Sequence, residues 1–361
     1  MLPRYVLCGG FMVRSALLDN IFVCGYPGDI GGANTELWHT VKLWRRFGLE
    51  VTLIPTWKAD RRWQGRLRQI GCRTIESDPR DLQNVPGLAG SVVVSMCNTK
   101  FLSVAEQFRR LRCKIVWLGC MNWLFPEERM HYRKCGPFDR HVFQSRHQHD
   151  QLVPQLRRFG YEDARGRIIR GAFDAAEFPF RPLRHGPGEI FAIGRLSRPA
   201  AEKFSRRTWE IYGRVPHPIV ARVLGWAEEV RRRLGPPPRW AECLAAGEQT
   251  PQEFLASLHA MVHTGGRAIE NWPRVALEAM AAGVPIVAEN RGGWREMIRH
   301  GRTGFLCDSD DQFAYYTARL AYDEAYRMRV VRDARTVLET ELAHPEDVWG
   351  GWNRLIEGVR E

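Results

Sequence analysis

Residues 270–298 read ENWPRVALEAMAAGVPIVAENRGGWREMI. Pro273 suits the first turn of a helix, because its fixed φ matches the helix and its missing N–H has no helical partner there. Asn271 is the predicted cap of that helix. Small alanines that allow close packing follow, and then VPIVA, a short apolar run typical of a buried strand. The segment therefore predicts a loop, a helix and a strand of a parallel α/β sheet.

Two glutamates of this segment stand eight residues apart. Glu270 lies in the loop before the predicted helix. Glu278 lies about 7.5 Å along the helix axis from Pro273, at a rise of about 1.5 Å per residue. Free backbone N–H groups at the helix start lie between the two carboxylates and can bind hydroxyls or anions. The pattern favours a binding site at this helix start.

Outward from this segment, both halves of the chain alternate between strand and helix patterns. In the first half, IFVCG (21–25) predicts a buried strand, residues 35–48 a helix, and VTLIPT (51–56) the next strand. Further predicted strands are 91–96, 114–119, 141–145, 189–196, 222–226, 261–265 and 284–289. Further predicted helices are 104–113, 202–213, 226–234, 251–259, 273–282, 294–299 and 311–334.

The domain boundaries follow from a break in these patterns. Residues 173–189 contain three prolines and two glycines and are interpreted as a linker. We therefore expect two doubly wound, Rossmann-like domains, 1–178 and 189–343, that face each other across a cleft. Residues 344–361 predict a last helix, interrupted at Gly350–Gly351, that packs back toward the first domain. Ligands of such sheets bind at the carboxyl ends of the strands.

The positive charge of the chain is concentrated in its first half. The net charge is +12, and residues 1–180 contain 27 Lys and Arg against 17 Asp and Glu. This favours an anionic partner such as a membrane surface, a phosphorylated acceptor or nucleic acid; genome composition is the alternative. Residues 58–71, KADRRWQGRLRQIG, fit either a basic patch in peripheral contact with an anionic membrane or an ordinary solvated helix. No helix-turn-helix, finger or RNP-like pattern occurs, so nucleic acid is not expected as a partner.

Several compositional features limit the class of protein. The nine cysteines are odd in number and scattered without a C-x-x-C, which argues against a disulfide framework or zinc site and favours a reducing cytoplasm. No apolar run reaches the roughly 18–20 residues of a membrane span. Residues 1–20 resemble a signal peptide only faintly, since Arg14 interrupts the apolar stretch, and an extra strand or helix is expected there. The expected location is cytoplasmic, with peripheral contact at the inner membrane face.

Residues 270–298 resemble the donor-binding signature of retaining GT-B glycosyltransferases, specifically glycosyltransferase family 4. That signature is a Glu, seven residues, a second Glu, then A-M-A-x-G-x-P-V-V-A and Gly-Gly-x-x-Glu. The matching residues here are Glu270, Glu278, AMAAGVPIVA, Gly292–Gly293 and Glu296. Residues 31–54, 143–152, 192–197 and 300–306 are similar to further segments of the family. The resemblance implies the GT-B fold.

The resemblance also implies roles for individual residues. Glu278 would bind the ribose hydroxyls of a nucleotide sugar, and Arg195 and Lys203 would bind its diphosphate. Glu270, the proposed catalytic residue, would lie near the donor sugar. The other implied donor contacts are the backbone of Asn271, Trp272, Pro273 and Arg274, and the Gly31–Gly32 turn of the opposite domain.

Two of these positions depart from the family pattern. Position 200, where the family commonly has its Lys, is Ala, so that either Lys203 or Arg198 is expected at the diphosphate. Arg274 stands where many members carry Gly or another small residue; it would select a particular sugar or point outward.

The activity that the resemblance implies is the transfer of a sugar, with retention, from a nucleotide-diphosphate sugar to an acceptor hydroxyl. No metal or other cofactor is expected, and the phosphate rather than a protein base would take the acceptor proton. The acceptor would be a carbohydrate, a lipid-linked molecule or a natural product. The resemblance implies that the donor binds mainly the second domain, 189–343, and the acceptor the first, 1–178. Alternatives are a sugar-nucleotide epimerase, an inverting transferase and a non-catalytic GT-B partner or binding subunit.

Overall fold

The structure is a computed structural model that describes residues 6–8, 11–13, 20–28, 31–56, 59–186 and 188–360. Most of residues 1–20, for which an extra strand or helix is expected, lie outside the described residues, as does Lys58 of the basic segment. Within 1–20, two short strands pair in antiparallel fashion, β1 (Val6–Cys8) and β2 (Phe11–Val13).

The first domain is built on a seven-stranded sheet whose strand pairs are all parallel. Its strand order reverses direction between the third and fourth strands of the sheet, the position at which doubly wound sheets form a binding crevice. In spatial order the strands are β5 (Arg73–Thr74), β4 (Val51–Ile54), β3 (Ile21–Cys24), β6 (Val92–Met96), β7 (Lys114–Leu118), β8 (Arg140–Phe143) and β9 (Gly166–Ile168). The helices are α1 (Gly32–Arg46), α2 (Arg61–Gln69), α3 (Thr99–Arg110), α4 (Pro126–Cys135) and α5 (Arg146–Arg157).

The second domain contains a six-stranded, all-parallel sheet. Its spatial order is β12 (Ala241–Ala245), β11 (Ile219–Trp226), β10 (Phe191–Leu196), β13 (Ala260–His263), β14 (Ile286–Glu289) and β15 (Phe305–Cys307). The helices are α6 (Thr208–Gly213), α7 (Glu228–Leu234), α8 (Pro251–Leu255), α9 (Arg274–Ala282), α10 (Trp294–Met297), α11 (Asp310–Tyr322) and α12 (Glu324–Val337). The expected fold class, two Rossmann-like α/β domains, is confirmed.

Two predicted helices are each divided into separate segments in the structure. The single helix expected over 311–334 is two helices, because the Asp323 carboxylate accepts a hydrogen bond of 2.8 Å from the N–H of Tyr326 and starts a new helix there. The helix expected over 202–213 is a 3₁₀ turn at Ala201–Lys203 followed by α6.

The chain returns to the first domain at its end. The last helix, α13 (Pro345–Arg360), buries Trp352 in the same apolar cluster as Trp44 of α1, and their rings meet edge-on with centroids 4.9 Å apart. The predicted interruption at Gly350–Gly351 is wrong, since the helix runs through both residues. A Cβ on Gly351 would lie 3.4 Å from Ile169, so glycine lets the helix approach the sheet closely.

Candidate active site between the two domains

Helix α9 and the loop that leads into it carry six of the residues singled out in the sequence: Glu270, Asn271, Trp272, Pro273, Arg274 and Glu278. Its alanines Ala276, Ala279 and Ala281 are fully buried, which places the helix directly on the second sheet. It starts one residue later than predicted: Pro273 is the N-cap residue and makes no side-chain capping bond. The predicted cap, Asn271, is therefore wrong, because its side chain is engaged elsewhere.

Asn271 instead connects the two domains. Its Oδ1 accepts a hydrogen bond of 2.5 Å from the hydroxyl of Ser145, and its Nδ2 donates to Gln144 Oε1 at 3.2 Å and to the carbonyl of Cys120 at 3.4 Å. Ser145 and Gln144 immediately follow β8 of the first domain. Because Asn271 is only 4% exposed, its amide is buried in the contact between the domains.

Lys203 is placed against Glu270, with 2.7 Å between Nζ and Oε1. The two side chains are 18% and 15% exposed, so the pair is partly shielded from water. Arg198, the alternative cation, instead lies 3.4 Å from Glu202 in an exposed pair. The structure therefore brings Lys203, rather than Arg198, to the carboxylate at the entry of α9.

Arg195 is fully buried in the second domain. Its guanidinium donates to the backbone oxygens of Thr264 and Lys203, the second at 3.0 Å, and lies 4.1 Å from the ring centre of Phe204. In this arrangement Arg195 fixes the turn that carries Lys203. Its predicted direct contact with a diphosphate stays a prediction.

Glu278 is buried on α9, with 8% of its surface exposed, and has no hydrogen-bond or ion-pair partner within the described residues. Burial disfavours the charged form and raises the pKa of this carboxyl to about 7, against the opposing field of Arg274. A buried carboxylate with both oxygens unsatisfied is ready to accept hydrogen bonds from a ligand's hydroxyls.

Arg274 and Glu36 form a buried ion pair between the domains. Nη1 of Arg274 lies 2.8 Å from Oε2 of Glu36 on α1 and 2.6 Å from the carbonyl of Ala172. Burial raises the pKa of Glu36, and the neighbouring guanidinium counteracts that rise. Arg274 therefore does not point outward, and its side chain is already engaged with the opposite domain.

The Gly31–Gly32 turn lies beside this pair. Gly31 has φ +101°, a conformation that favours glycine, and α1 starts at the next residue. A Cβ on Gly32 would lie 3.3 Å from Cγ of Arg274. The turn of the first domain and the start of α9 are thus in close contact. The implied contact of this turn with a donor stays a prediction. Trp272, in contrast, directs its ring into the core of the second domain and is 4% exposed.

Glu296 makes a further contact between the domains. Its two carboxylate oxygens accept hydrogen bonds from the backbone N–H groups of Arg146 and His147, at 2.9 and 2.7 Å. These groups form the first turn of α5, where free N–H groups and the helix dipole favour an anion. The sequence motif contained Glu296 but gave no sign of this partner, because the contact joins segments 149 residues or more apart.

The basic segment of the first domain has its apolar side turned inward. Trp63 and Leu67 of α2 belong to the core, while Arg61 and Arg68 are exposed. The apolar face that would insert into a membrane is therefore occupied by the protein itself. No described helix is long and apolar enough to cross a membrane. Across the described residues, no group of three or more His, Cys, Asp or Glu side chains could ligate a metal ion.

The fold is that of GT-B glycosyltransferase structures. Two structures with this fold are Anabaena HepE in complex with UDP-glucose and TarM of S. aureus. The chain is 18% identical to HepE with a TM-score of 0.70 over 94% of this chain and 99% of that one. For TarM the identity is 10% and the TM-score 0.74, over 95% and 100%.

Sequence comparison places a known domain in the second half of the chain. Residues 242–337 match the family model Glycosyl transferases group 1. A glycogen synthase of Mycobacterium tuberculosis is 29% identical over 48% of this chain and 44% of its own length. A GDP-mannose-dependent alpha-(1-6)-phosphatidylinositol monomannoside mannosyltransferase of Mycolicibacterium smegmatis is 32% identical over 37% of this chain and 39% of its own. The chain spans less than half the length of these relatives.

Proposed function

We propose that the chain is a glycosyltransferase that moves a sugar from a nucleotide-diphosphate sugar to an acceptor hydroxyl, with retention of configuration and without a metal ion. The observation that carries the proposal is the meeting of Lys203 and Glu270 at 2.7 Å, at the entry of the helix that presents the unpartnered Glu278. Glu270, Glu278 and α9 all lie within the segment that matches glycosyl transferases group 1. The donor would bind mainly to the second domain.

The residues at this site suit the chemistry of diphosphate departure. When the bond between the anomeric carbon and the diphosphate breaks, negative charge builds up on the leaving oxygens. Lys203 and the free N–H groups at the start of α9 would stabilise that charge, and each well-aimed donor contributes roughly 10²–10³-fold in rate. These groups are the reason to propose a reaction that needs no metal ion or other cofactor. Glu278 would accept hydrogen bonds from the ribose hydroxyls.

The proposed transfer balances without a general base from the protein. The acceptor oxygen would attack the anomeric carbon on the face that the diphosphate leaves. A new C–O bond forms there, the C–O bond to phosphate breaks, and the acceptor proton passes to the departing phosphate. Glu270 would lie beside the sugar ring, paired with Lys203 when no donor is bound.

The contacts between the domains would exclude water during this step. Asn271, Arg274 and Glu296 all reach from the second domain to the first. A closed cleft limits hydrolysis of the donor and strengthens the electrostatic interactions inside it.

A thermal-shift screen without added metal tests the nucleotide site. UDP, GDP, ADP, TDP and CMP would each be added at millimolar concentration. A ligand at 100 times its Kd stabilises the folded protein by roughly 2.7 kcal/mol, and we expect one nucleotide to raise the Tm by several degrees. Glu278→Ala should abolish that shift, whereas Glu270→Ala should retain it and lose turnover.

The products distinguish the proposed reaction from its alternatives. A product whose anomeric configuration, read by NMR, is the same as that of the donor supports retention, while an inverted product contradicts it. Full activity in EDTA supports the metal-free reaction. A nucleotide that binds without any transfer favours the non-catalytic subunit, and interconversion of donor sugars without an acceptor favours an epimerase.

We also propose that the protein contacts the inner face of an anionic membrane, which would place it in the cytoplasm. Exposed arginines such as Arg61 and Arg68 would provide this contact electrostatically, since Trp63 and Leu67 are buried. Co-sedimentation with vesicles of increasing anionic lipid content, at two salt concentrations, tests it; binding that ignores lipid charge would contradict it.

A further inference from the structure

Three side chains form a continuous hydrogen-bonded network inside the second domain, from Glu289 through His263 to Arg195. Glu289 is the last residue of β14 and His263 the last of β13, and Arg195 lies next to the last position of β10. These three parallel strands are neighbours in the sheet, so the side chains meet at its carboxyl edge. Their exposed fractions are 8%, 1% and 0%, so the network is shielded from water.

The hydrogen-bond partners of His263 determine which of its nitrogens carries the proton. Nη2 of Arg195 lies 3.3 Å from Nε2 of His263, and because a guanidinium has only donors to offer, Nε2 is the acceptor. The imidazole proton is therefore on Nδ1, which lies 3.3 Å from Oε2 of Glu289 and donates to it. A neutral imidazole thus connects the guanidinium with the carboxylate.

The network compensates the buried charge of Arg195. Within the described residues, no carboxylate forms an ion pair with Arg195, although its guanidinium is fully buried. Burial lowers its pKa, and Tyr212, Glu289 and Glu270 oppose that change. Glu270 is already paired with Lys203. Glu289, acting through the imidazole, is therefore the carboxylate that balances the guanidinium.

Glu289 is itself held in the charged form. Burial raises the pKa of a carboxyl group, but His263 and Arg291 outweigh burial and lower the pKa of Glu289 to about 2. Its Oε2 also accepts a hydrogen bond of 3.0 Å from the N–H of Gly265. A Cβ on Gly265 would lie 1.9 Å from Oε1 of Glu289, so this close approach requires glycine.

The two ends of the network reach two loops of the candidate site. At one end, Nη2 of Arg195 donates to the carbonyl of Lys203 at 3.0 Å, and the same carbonyl accepts the N–H of Gly266 at 3.2 Å. At the other end, Glu289 binds the backbone one residue earlier, in the segment that leads into Glu270. The network therefore sets the position of the Lys203 turn relative to the loop that carries Glu270.

We propose that Glu289 and His263 are positioning residues for the diphosphate of the donor: they orient Arg195, and through it they hold Lys203 where negative charge builds up during transfer. The inference rests on the proposed glycosyltransferase function and adds two residues that the sequence did not indicate. Its consequence is that loss of the Glu289 charge weakens recognition of a diphosphate more than recognition of the base and ribose.

Isothermal titration with matched nucleotides tests this consequence. The probes are UDP, GDP, ADP and TDP, each compared with the monophosphate of the same base. Glu289→Gln keeps the size of the side chain and removes its charge. We expect it to weaken binding of the preferred diphosphate at least tenfold and binding of the monophosphate less than threefold. Glu128→Gln, which removes a buried carboxylate of the first domain, is the matched control and should leave both affinities unchanged.

Two variants of His263 separate positioning from a purely structural role. His263→Leu removes both hydrogen bonds and should weaken diphosphate binding as much as Glu289→Gln does. His263→Gln retains one donor and one acceptor, so it should restore the diphosphate affinity to within threefold of the wild type. A general loss of packing would instead weaken diphosphate and monophosphate alike, and glutamine would not rescue it.

Hydrogen exchange read by mass spectrometry follows the same variants without any nucleotide. We expect the backbone N–H groups of residues 201–205 and 264–268 to exchange at least tenfold faster in Glu289→Gln and His263→Leu, and at the wild-type rate in Glu128→Gln. Unchanged exchange in these segments, or an equal loss of affinity for diphosphate and monophosphate, would overturn the proposal. If the wild type binds none of the diphosphates although exchange responds as expected, the proposed function is contradicted and the network has a structural role only.

Discussion

Glu36 on the first helix and Arg274 on α9 are 238 residues apart in the chain, and their side chains meet at 2.8 Å between the domains. Their exposed fractions are 2% and 7%, so this ion pair is as buried as the apolar core. The first turn of the candidate donor helix is thereby anchored to the opposite domain. Arg274, at the start of α9, therefore holds the two domains in contact and also lies at the candidate site.

Removing one member of this pair should destabilise the protein strongly. Arg274→Met leaves the Glu36 carboxylate buried without its cation, and we expect a loss of about 3–5 kcal/mol in the free energy of unfolding. Urea denaturation followed by tryptophan fluorescence measures it. Adding Glu36→Leu to Arg274→Met should recover most of the loss. Glu106→Gln, in an exposed pair with Arg110 and Lys134, is the control and should change the urea midpoint little.

The pH dependence of stability should reveal the burial of Glu278. Its pKa of about 7 in the folded state is above the ordinary 4.5, so the folded protein binds the proton more tightly than the unfolded chain. Stability from this group is complete below pH 4.5 and is lost as the pH rises through 7. Glu278→Gln has no carboxyl group to ionise at this position and therefore keeps its stability as the pH rises. Above pH 7 its free energy of unfolding should exceed that of the wild type by about 3 kcal/mol.

Comparison with this variant isolates Glu278 from Glu128, whose pKa burial also raises to about 7. Thermal unfolding of both proteins between pH 4.5 and 8 gives the measurement. A difference in Tm that does not change across this range would contradict the assignment.

Lys203 and Arg198 provide a direct test of which cation serves the donor. Lys203→Met should weaken binding of the active nucleoside diphosphate at least tenfold, because it removes a partly buried charge next to Glu270. Arg198→Met should change the affinity less than twofold, since its guanidinium is in an exposed pair with Glu202. Isothermal titration of both variants decides the question. The reverse order of effects would assign the diphosphate to Arg198.

Glu296 should control how tightly the cleft closes. Glu296→Gln removes the charge that faces the N-terminus of α5, a contact worth about 0.3–1 kcal/mol. We expect a larger mean radius of gyration by small-angle scattering and faster hydrolysis of donor in the absence of acceptor. Glu229→Gln, which removes an exposed charge on α7, is the matched control. Identical scattering from both variants would show that the contact does not hold the domains together.

The sequence was sufficient to predict the two parallel sheets, because buried strands such as Val92–Met96 (VVVSM) and Ile286–Glu289 (IVAE) are mostly apolar. Short or mixed strands such as Ala241–Ala245, partly exposed along its length, carry no such pattern and were missed. The site was predicted where its residues lie within one segment, as Glu270 and Glu278 do. Partners from the other domain, such as Glu36 and Ser145, were not foreseen. Within its own segment of sequence, Glu36 is an ordinary helix residue and Ser145 is an ordinary helix cap.

Helix α13 completes the first domain only after the chain has passed through the second. The polypeptide therefore crosses between the domains twice, once within residues 173–189 and once just before Pro345. Two crossings favour hinge bending of the domains about the line that joins the crossings. They disfavour free rotation of one domain relative to the other. After a proteolytic cut in the first bridge alone, the two halves would stay together only through noncovalent packing, including that of α13 on the first domain. A first domain expressed without residues 345–360 would expose Trp44 and the apolar surface that Trp352 covers.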